Sequence, residues 1–351
     1  MRLRSYLAVG CLALFGLSVQ AETLTGLYQV REPVSGEGTE ARAQATQNAL
    51  STLVVRLTGD PKAPQSAGLA GLRKDPQQII SQFGFEAGPP ETVLVDFDPG
   101  STDRALRQAG LALWGSNRPA ILGWWLNDSV GGSSLVGDGQ SSAEPLRRAA
   151  QHRGLPLRLP MGDLNEQLVA TAKNLEGTDP APLREASERY AADALLAVHA
   201  TEGEGKWQGT WRLWLGDQRE QGKVEGADQA ALADAVMLAV STRLAPRFVA
   251  RPGTGGENQI QVQGMTLERY AQLLQTLEPL GGRLTYVDGD TLTYTVSGTP
   301  EQVRAQLGLA RLQEVPAEAA APAPVAPAAP GEAQVAAPAP FTGLRFRWQG
   351  A

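Results

Sequence analysis

The sequence predicts an α/β (α+β) fold of modular mixed sheets covered by helices, with a small ferredoxin-like unit near the C-terminus. Three observations carry that prediction. Strand-like and helix-like periodicities alternate along most of the chain, the pattern that layers helices on sheets. Residues 121–126 are apolar throughout, as in a strand buried on both faces. Finally, a chain of 351 residues whose single cysteine is Cys11 must rest on more than one packed core rather than on disulfides.

Residues 1–21 read as a cleavable secretory signal. Arg2 and Arg4 lead, residues 6–19 are almost wholly apolar, and Val19-Gln20-Ala21 offers a small-x-small cleavage site. About 14 apolar residues fall short of the roughly 20 that span hydrocarbon. The expected location is the periplasm. Lipoprotein processing at Cys11 is the minor alternative, and the apolar run continuing beyond Cys11 argues against it. Cleavage would remove Arg2 and Arg4, so that of 31 basic residues 29 face 37 acidic ones, a net charge of −8. Nucleic-acid partners, which need a basic face, are disfavoured. No later stretch is long and apolar enough to cross a membrane.

The first domain is expected over residues 22–115. A strand at 24–30 leads through Pro33, Gly36 and Gly38 into a helix at 39–57, where Ala41, Ala45 and Ala49 form a small-residue stripe suited to lying close on a sheet. Gly59-Asp60-Pro61 ends that helix. A short helix at 76–82, a strand at 92–97 and a helix at 101–111 behind Asp98-Pro99 follow. The central domain, 116–252, begins with the apolar strand at 121–126, a polar loop at 127–142, and a helix at 143–153 closed by Gly154. A short strand at 155–159, a helix at 183–190, an antiparallel pair at 194–200 and 207–215, and a covering helix at 227–244 complete it. Residues 257–313 read β-α-β-β-α, the order of a split ferredoxin-like unit, with a hairpin turn at Asp288-Gly289. Residues 314–340 are an alanine- and proline-rich linker expected to be disordered, and 341–351 a final strand with Leu344, Phe346 and Trp348 on one side.

Few residues suggest chemistry. Gly36-x-Gly38-x-x-Ala41 follows a predicted strand and opens a helix, as a dinucleotide fingerprint would, but no acid ends a following strand at the expected distance. A glycine turn feeding a packed helix is the plainer account, and no cofactor is expected. His152, in the last turn of its helix, and His199, in mid-strand, read as structural rather than catalytic. Asp96 and Asp98 flank Phe97 and could share a cation or a proton, although an N-cap by Asp98 explains them more simply. No metal site or hydrolase motif is evident. Trp124 and Trp125 must face opposite ways, while Trp207 and Trp211 share a face and Trp214 takes the other. These aromatics are either core or, if one sheet face is open, a partner or glycan platform. Trp207, Trp211, Trp214, Leu344, Phe346 and Trp348 are therefore the candidate partner or ligand surface.

Residues 93–99, Ala112-Leu-Trp-Gly115, Arg118-Pro119 with 121–126, Arg153-Gly-Leu-Pro156 and Tyr190-Ala-Ala-Asp-Ala194 ahead of Trp207-x-Gly-x-Trp211 resemble the exported Gram-negative family called domain of unknown function two-thousand-and-sixty-six. That resemblance implies no catalytic residue. More loosely, residues 24–57 look like the strand-helix units of periplasmic flagellar and lipoprotein accessory proteins. Residues 118–250 are similar to the N-terminal domain of the Tol-Pal periplasmic protein and to lipoprotein activators of peptidoglycan synthases, which work by binding envelope proteins. The expectation is a non-enzymatic envelope accessory that docks a protein partner; the alternative is a cell-wall glycan-binding protein or an unrecognised hydrolase.

Overall fold

A computed structural model describes residues 26–35, 38–88, 91–249, 256–315 and 341–348. The signal-like segment, Gly36 and residues 316–340 of the expected linker lie outside the described residues. The fold is mixed α/β, with three sheets among the described residues.

The first sheet runs β1 (Gln29–Pro33), β3 (Thr92–Phe97), β2 (Ile80–Glu86), with both pairings antiparallel. Helix α1 (Thr39–Thr58) packs Ala45, Ala49, Leu50 and Leu53 against Val30, Val93 and Val95, as the alanine stripe predicted. Gly59 stops it in the left-handed region at φ 67°. A Cβ at Gly59 would lie 2.0 Å from the Ala245 Cβ, so glycine also permits the close approach of the next unit. Two expectations change here. The first strand begins later than residue 24, because residues 26–28 form a turn. The helix expected at 76–82 is only a 3₁₀ turn, Pro76–Ile79, which feeds β2. Between them lies the short helix α2 (Ala70–Lys74), and α3 (Pro99–Gln108) follows β3.

The second sheet is ordered β5-β4-β7-β8-β9, with a two-residue strand β6 (Leu157–Arg158) beside β4. Its strands are β4 (Ile121–Ser129), β5 (Gly132–Leu135), β7 (Ala194–Gly203), β8 (Lys206–Leu215) and β9 (Gln218–Gly226). Strands β4 and β7 pair in parallel, and the remainder of the path is antiparallel. One face is covered by α4 (Ala143–Arg153) and α8 (Gln229–Phe248), enclosing Trp125, Trp207 and Trp211. The other is covered by residues of the short helices α5 (Leu164–Val169), α6 (Ala172–Leu175) and α7 (Ala181–Ser187), enclosing Trp124 and Trp214. The apolar run at 121–126 is buried because both faces are roofed. The polar loop expected at 127–142 instead continues β4 and adds β5.

The third sheet is ordered β11-β12-β10-β14-β13. In chain order its elements are β10 (Glu257–Gln263), α9 (Leu267–Leu277), β11 (Arg283–Asp288), β12 (Thr291–Ser297), α10 (Pro300–Leu309), β13 (Leu312–Glu314) and β14 (Leu344–Trp348). Without β14 the strand order is that of a ferredoxin-like βαββαβ unit. The C-terminal strand inserts into it, parallel to β10 and antiparallel to β13. Glu314, expected to begin the linker, instead pairs with Phe346. The hairpin loop is Gly289-Asp290, one residue later than expected, with Gly289 at φ 57°.

Five of the six aromatic and apolar residues advanced as a partner surface are core. Trp207 and Trp211 lie under α8, and Gly222 of β9 lets the Trp211 indole lie across it, 2.7 Å from where a Cβ would stand. Trp214 packs beneath the short helices. Phe346 and Trp348 fill the third core, and Leu344 is half-buried against it. Roofed faces and the inserted strand leave no aromatic platform among them.

Candidate functional site

A concentrated group of interacting titratable side chains sits where the first unit meets the second. Glu32 comes from β1 and faces α1, because strand alternation puts it beside Val30 on the buried side. Thr52 comes from the sheet-facing side of α1, His152 from the last turn of α4, and Asp234 from α8. His152 Nε2 lies 2.9 Å from Glu32 Oε1, and Nδ1 lies 3.0 Å from Asp234 Oδ1. The Thr52 hydroxyl donates to Glu32 and stands 3.2 Å from His152 Nε2. Arg153 grips Asp234 from the side, with its Nε 3.0 Å away. Arg56, buried, donates to the backbone carbonyls of His152, Leu27 and Gln29. A cavity of about 450 Å³ opens beside the cluster, bordered by Arg31 and Arg148.

The order Thr52, His152, Asp234 has the spacing of a nucleophile, a base and an orienting acid. Its protonation is that of an ion-pair network instead. Carboxylates at both ring nitrogens are satisfied together only by the imidazolium, which has no lone pair left to take a proton. Burial disfavours the charged ring, yet the hydrogen bonds to Asp234 and Glu32 outweigh it and raise the His152 pKa. Burial also opposes charge on Asp234, and the bonds from His152 and Arg153 prevail, holding its carboxyl at about 2.

A second buried cation extends the junction. Arg118 donates to the carbonyls of Gly115, Gly154, Arg56 and Trp114 at 2.8 to 2.9 Å. Its guanidinium lies 4.2 Å from the Trp114 ring, which stacks on Phe248. Burial pushes its pKa down to about 9. Arg118 thus ties the ends of α1 and α4 to the irregular segment that crosses between the units.

A second cavity, about 1120 Å³, lies between the first and third units and is lined by Tyr28, Asp96, Asp103, Arg104, Arg107 and Pro279, among others. The Tyr28 hydroxyl donates to Asp103 at 2.7 Å. Asp96 accepts from Gln29 at 2.7 Å, while Asp98 accepts from the Ser101 backbone N–H at 2.8 Å and caps α3. The two carboxylates are therefore separately engaged. His199 sits between Glu176 (2.6 Å) and Asp128 (3.4 Å) near the rim of the second sheet, away from both cavities. Gly38, at φ 93°, leads into α1, as a glycine turn would.

The remaining feature is an exposed edge. Among the described residues β2 pairs on one side only, and Phe83 and Phe85 stand 39 % and 41 % exposed with their rings 5.1 Å apart, edge to face. The Arg42 guanidinium lies 4.3 Å from the Phe85 ring. Opposite Val95 and Val93, both phenylalanines point to the α1 side of the sheet. The sequence reading missed this strand. Its signal was the alternation in Ser-Gln-Phe-Gly-Phe-Glu, weakened by Gly84 and by the proline-led turn before it.

Residues 21–115 match a family described as Domain of unknown function (DUF8605). This is an uncharacterised family, but a different one from that named from the sequence, and the match ends at Gly115. No curated protein matches the chain. Among the described residues no helix is long and apolar enough to cross a membrane.

Proposed function

We propose that this chain is an exported, non-enzymatic accessory protein of the cell envelope that docks a protein partner along the open edge of β2. The carrying observation is the Phe83–Phe85 pair, exposed on a strand whose second edge is unpaired among the described residues. An extended segment with alternating apolar residues would complete the backbone hydrogen bonds and cover both rings. The signal-like residues 1–21 support export. The ion-paired state of His152 removes the best-placed base from a hydrolase reading. What remains for glycan binding is the cavity holding Asp96 and Asp103.

A photo-crosslinking side chain replacing Phe85 in cells is expected to capture an envelope protein, with no adduct from the same group at Glu225 on β9. Equal capture at both positions, or capture of cell-wall glycan alone, would overturn the docking reading. Recovery of the chain, uncleaved, from the cytoplasm would overturn the export reading.

A further inference from the structure

We propose that two copies of this chain associate edge to edge through β11, joining their third sheets across a two-fold axis. Every residue of β11 is exposed, including Leu284 at 44 %, Tyr286 at 64 % and Val287 at 53 %. Among the described residues it pairs with β12 alone. Exposed apolar edges of this kind are commonly guarded by charge, proline or a bulge. Strand β9, the edge of the second sheet, is guarded in that way by Arg219, Glu220, Lys223 and Glu225. In β11 the charges stand only at the ends.

Those ends complement each other. The strand reads Arg283-Leu284-Thr285-Tyr286-Val287-Asp288. When it is laid antiparallel on a second copy about its midpoint, Arg283 meets Asp288, Leu284 meets Val287, and Thr285 meets Tyr286. Strict alternation would put Leu284 and Val287 on opposite faces. The register shift between Leu284 and Tyr286 cancels that: Leu284 lies opposite Tyr294 and Val287 opposite Leu292, both core residues, so both face the helix side. Arg283, opposite Thr295, and Asp288, opposite Thr291, both face the open side. The bulge therefore makes the strand complementary to itself in charge and in face. On the helix side α9 adds Leu267 and Leu274, exposed and seven residues apart. Arg283 already makes an exposed ion pair with Glu257 of its own chain at 2.6 Å, and the second copy's Asp288 would add to it. A six-residue strand pair buries less than the roughly 1,200 Å² at the low end of stable interfaces, so the association is of the weak, reversible class.

The test uses the full mature chain, with light scattering across a concentration series and native mass spectrometry. Wild type is expected to dimerise reversibly. Asp288→Lys and Arg283→Glu each turn two symmetric attractions into repulsions, and each is expected to raise the dimer Kd by about tenfold or more. Mixed together, the two variants restore opposite charge at both contacts and should form a heterodimer of intermediate mass. That recovery could not come from misfolded chains. A wild type that stays monomeric, variants that dimerise as wild type does, or a mixture that fails to recover would each overturn the proposal. Capture of a different envelope protein at Tyr286 by a photo-crosslinking group, with no self-adduct, would equally overturn it.

Discussion

At the scale of single residues, the junction rests on cations that lack ordinary surroundings. Arg118 is enclosed by four carbonyls, and each of those bonds is made by a charged donor away from water. Arg118→Met keeps much of the aliphatic volume and leaves those acceptors without their donor. It is expected to cost about 3 to 5 kcal/mol, since stranded buried acceptors cost about 1 to 3 kcal/mol each and part of the loss is recovered by water. Urea unfolding of the full chain measures this, and a loss under about 1 kcal/mol would mean that the carbonyls find other donors. The sequence did not disclose this role, because the bonded carbonyls of Arg56 and Gly154 lie 62 and 36 residues away. The facing of Trp207, Trp211 and Trp214 was legible, as it follows from a period of two along one strand. Their burial was not, because it depends on α8 and on Gly222.

At the scale of elements, local chemistry marked most helix ends, and tertiary pairing set several strands. Helix α4 spans the predicted residues because Gly154 closes it, and Thr266 caps α9. Strand β9 was missed because neither of its faces is apolar: Gln-Arg-Glu-Gln-Gly-Lys-Val-Glu-Gly pairs along all of β8 without a hydrophobic stripe. Strand β14 was recognised from Leu344, Phe346 and Trp348, but its place in the sheet could not be, since insertion between β10 and β13 is a long-range choice. That placement predicts a large effect from a short segment. Phe346→Ala empties a fully enclosed site in the third core and is expected to cost about 3 to 5 kcal/mol. Deleting residues 341–351 also removes the strand that β13 pairs with, and should lower the thermal midpoint further than the point substitution does. An unchanged midpoint would show that the strand adds nothing to the third unit.

At the scale of the whole molecule, the first and second units are joined by charge as well as by packing, so their union depends on pH in a definite direction. The folded His152 pKa lies above its ordinary 6.5. Its contribution is complete below 6.5 and is lost as pH rises through the folded value. The folded Asp234 pKa lies near 2 against an ordinary 3.8, so its contribution is complete above 3.8 and is lost as pH falls towards 2. Both are present together only between about 3.8 and 6.5, where Glu32 and Asp234 flank a charged ring beside Arg153 and Arg56. His152→Gln keeps a polar side chain of similar reach but cannot carry the charge. The difference in thermal midpoint between wild type and this variant should therefore be widest in that window and narrow steadily on the alkaline side. A difference that stays constant from mildly acidic to alkaline pH would show that His152 contributes through packing alone. A junction that loosens as the surroundings turn alkaline would make the first unit, with its exposed β2 edge, freer to move relative to the second. Limited proteolysis between residues 109 and 118, compared at the two ends of the pH range, reads that freedom directly: cleavage should rise with pH in wild type and be high throughout in His152→Gln.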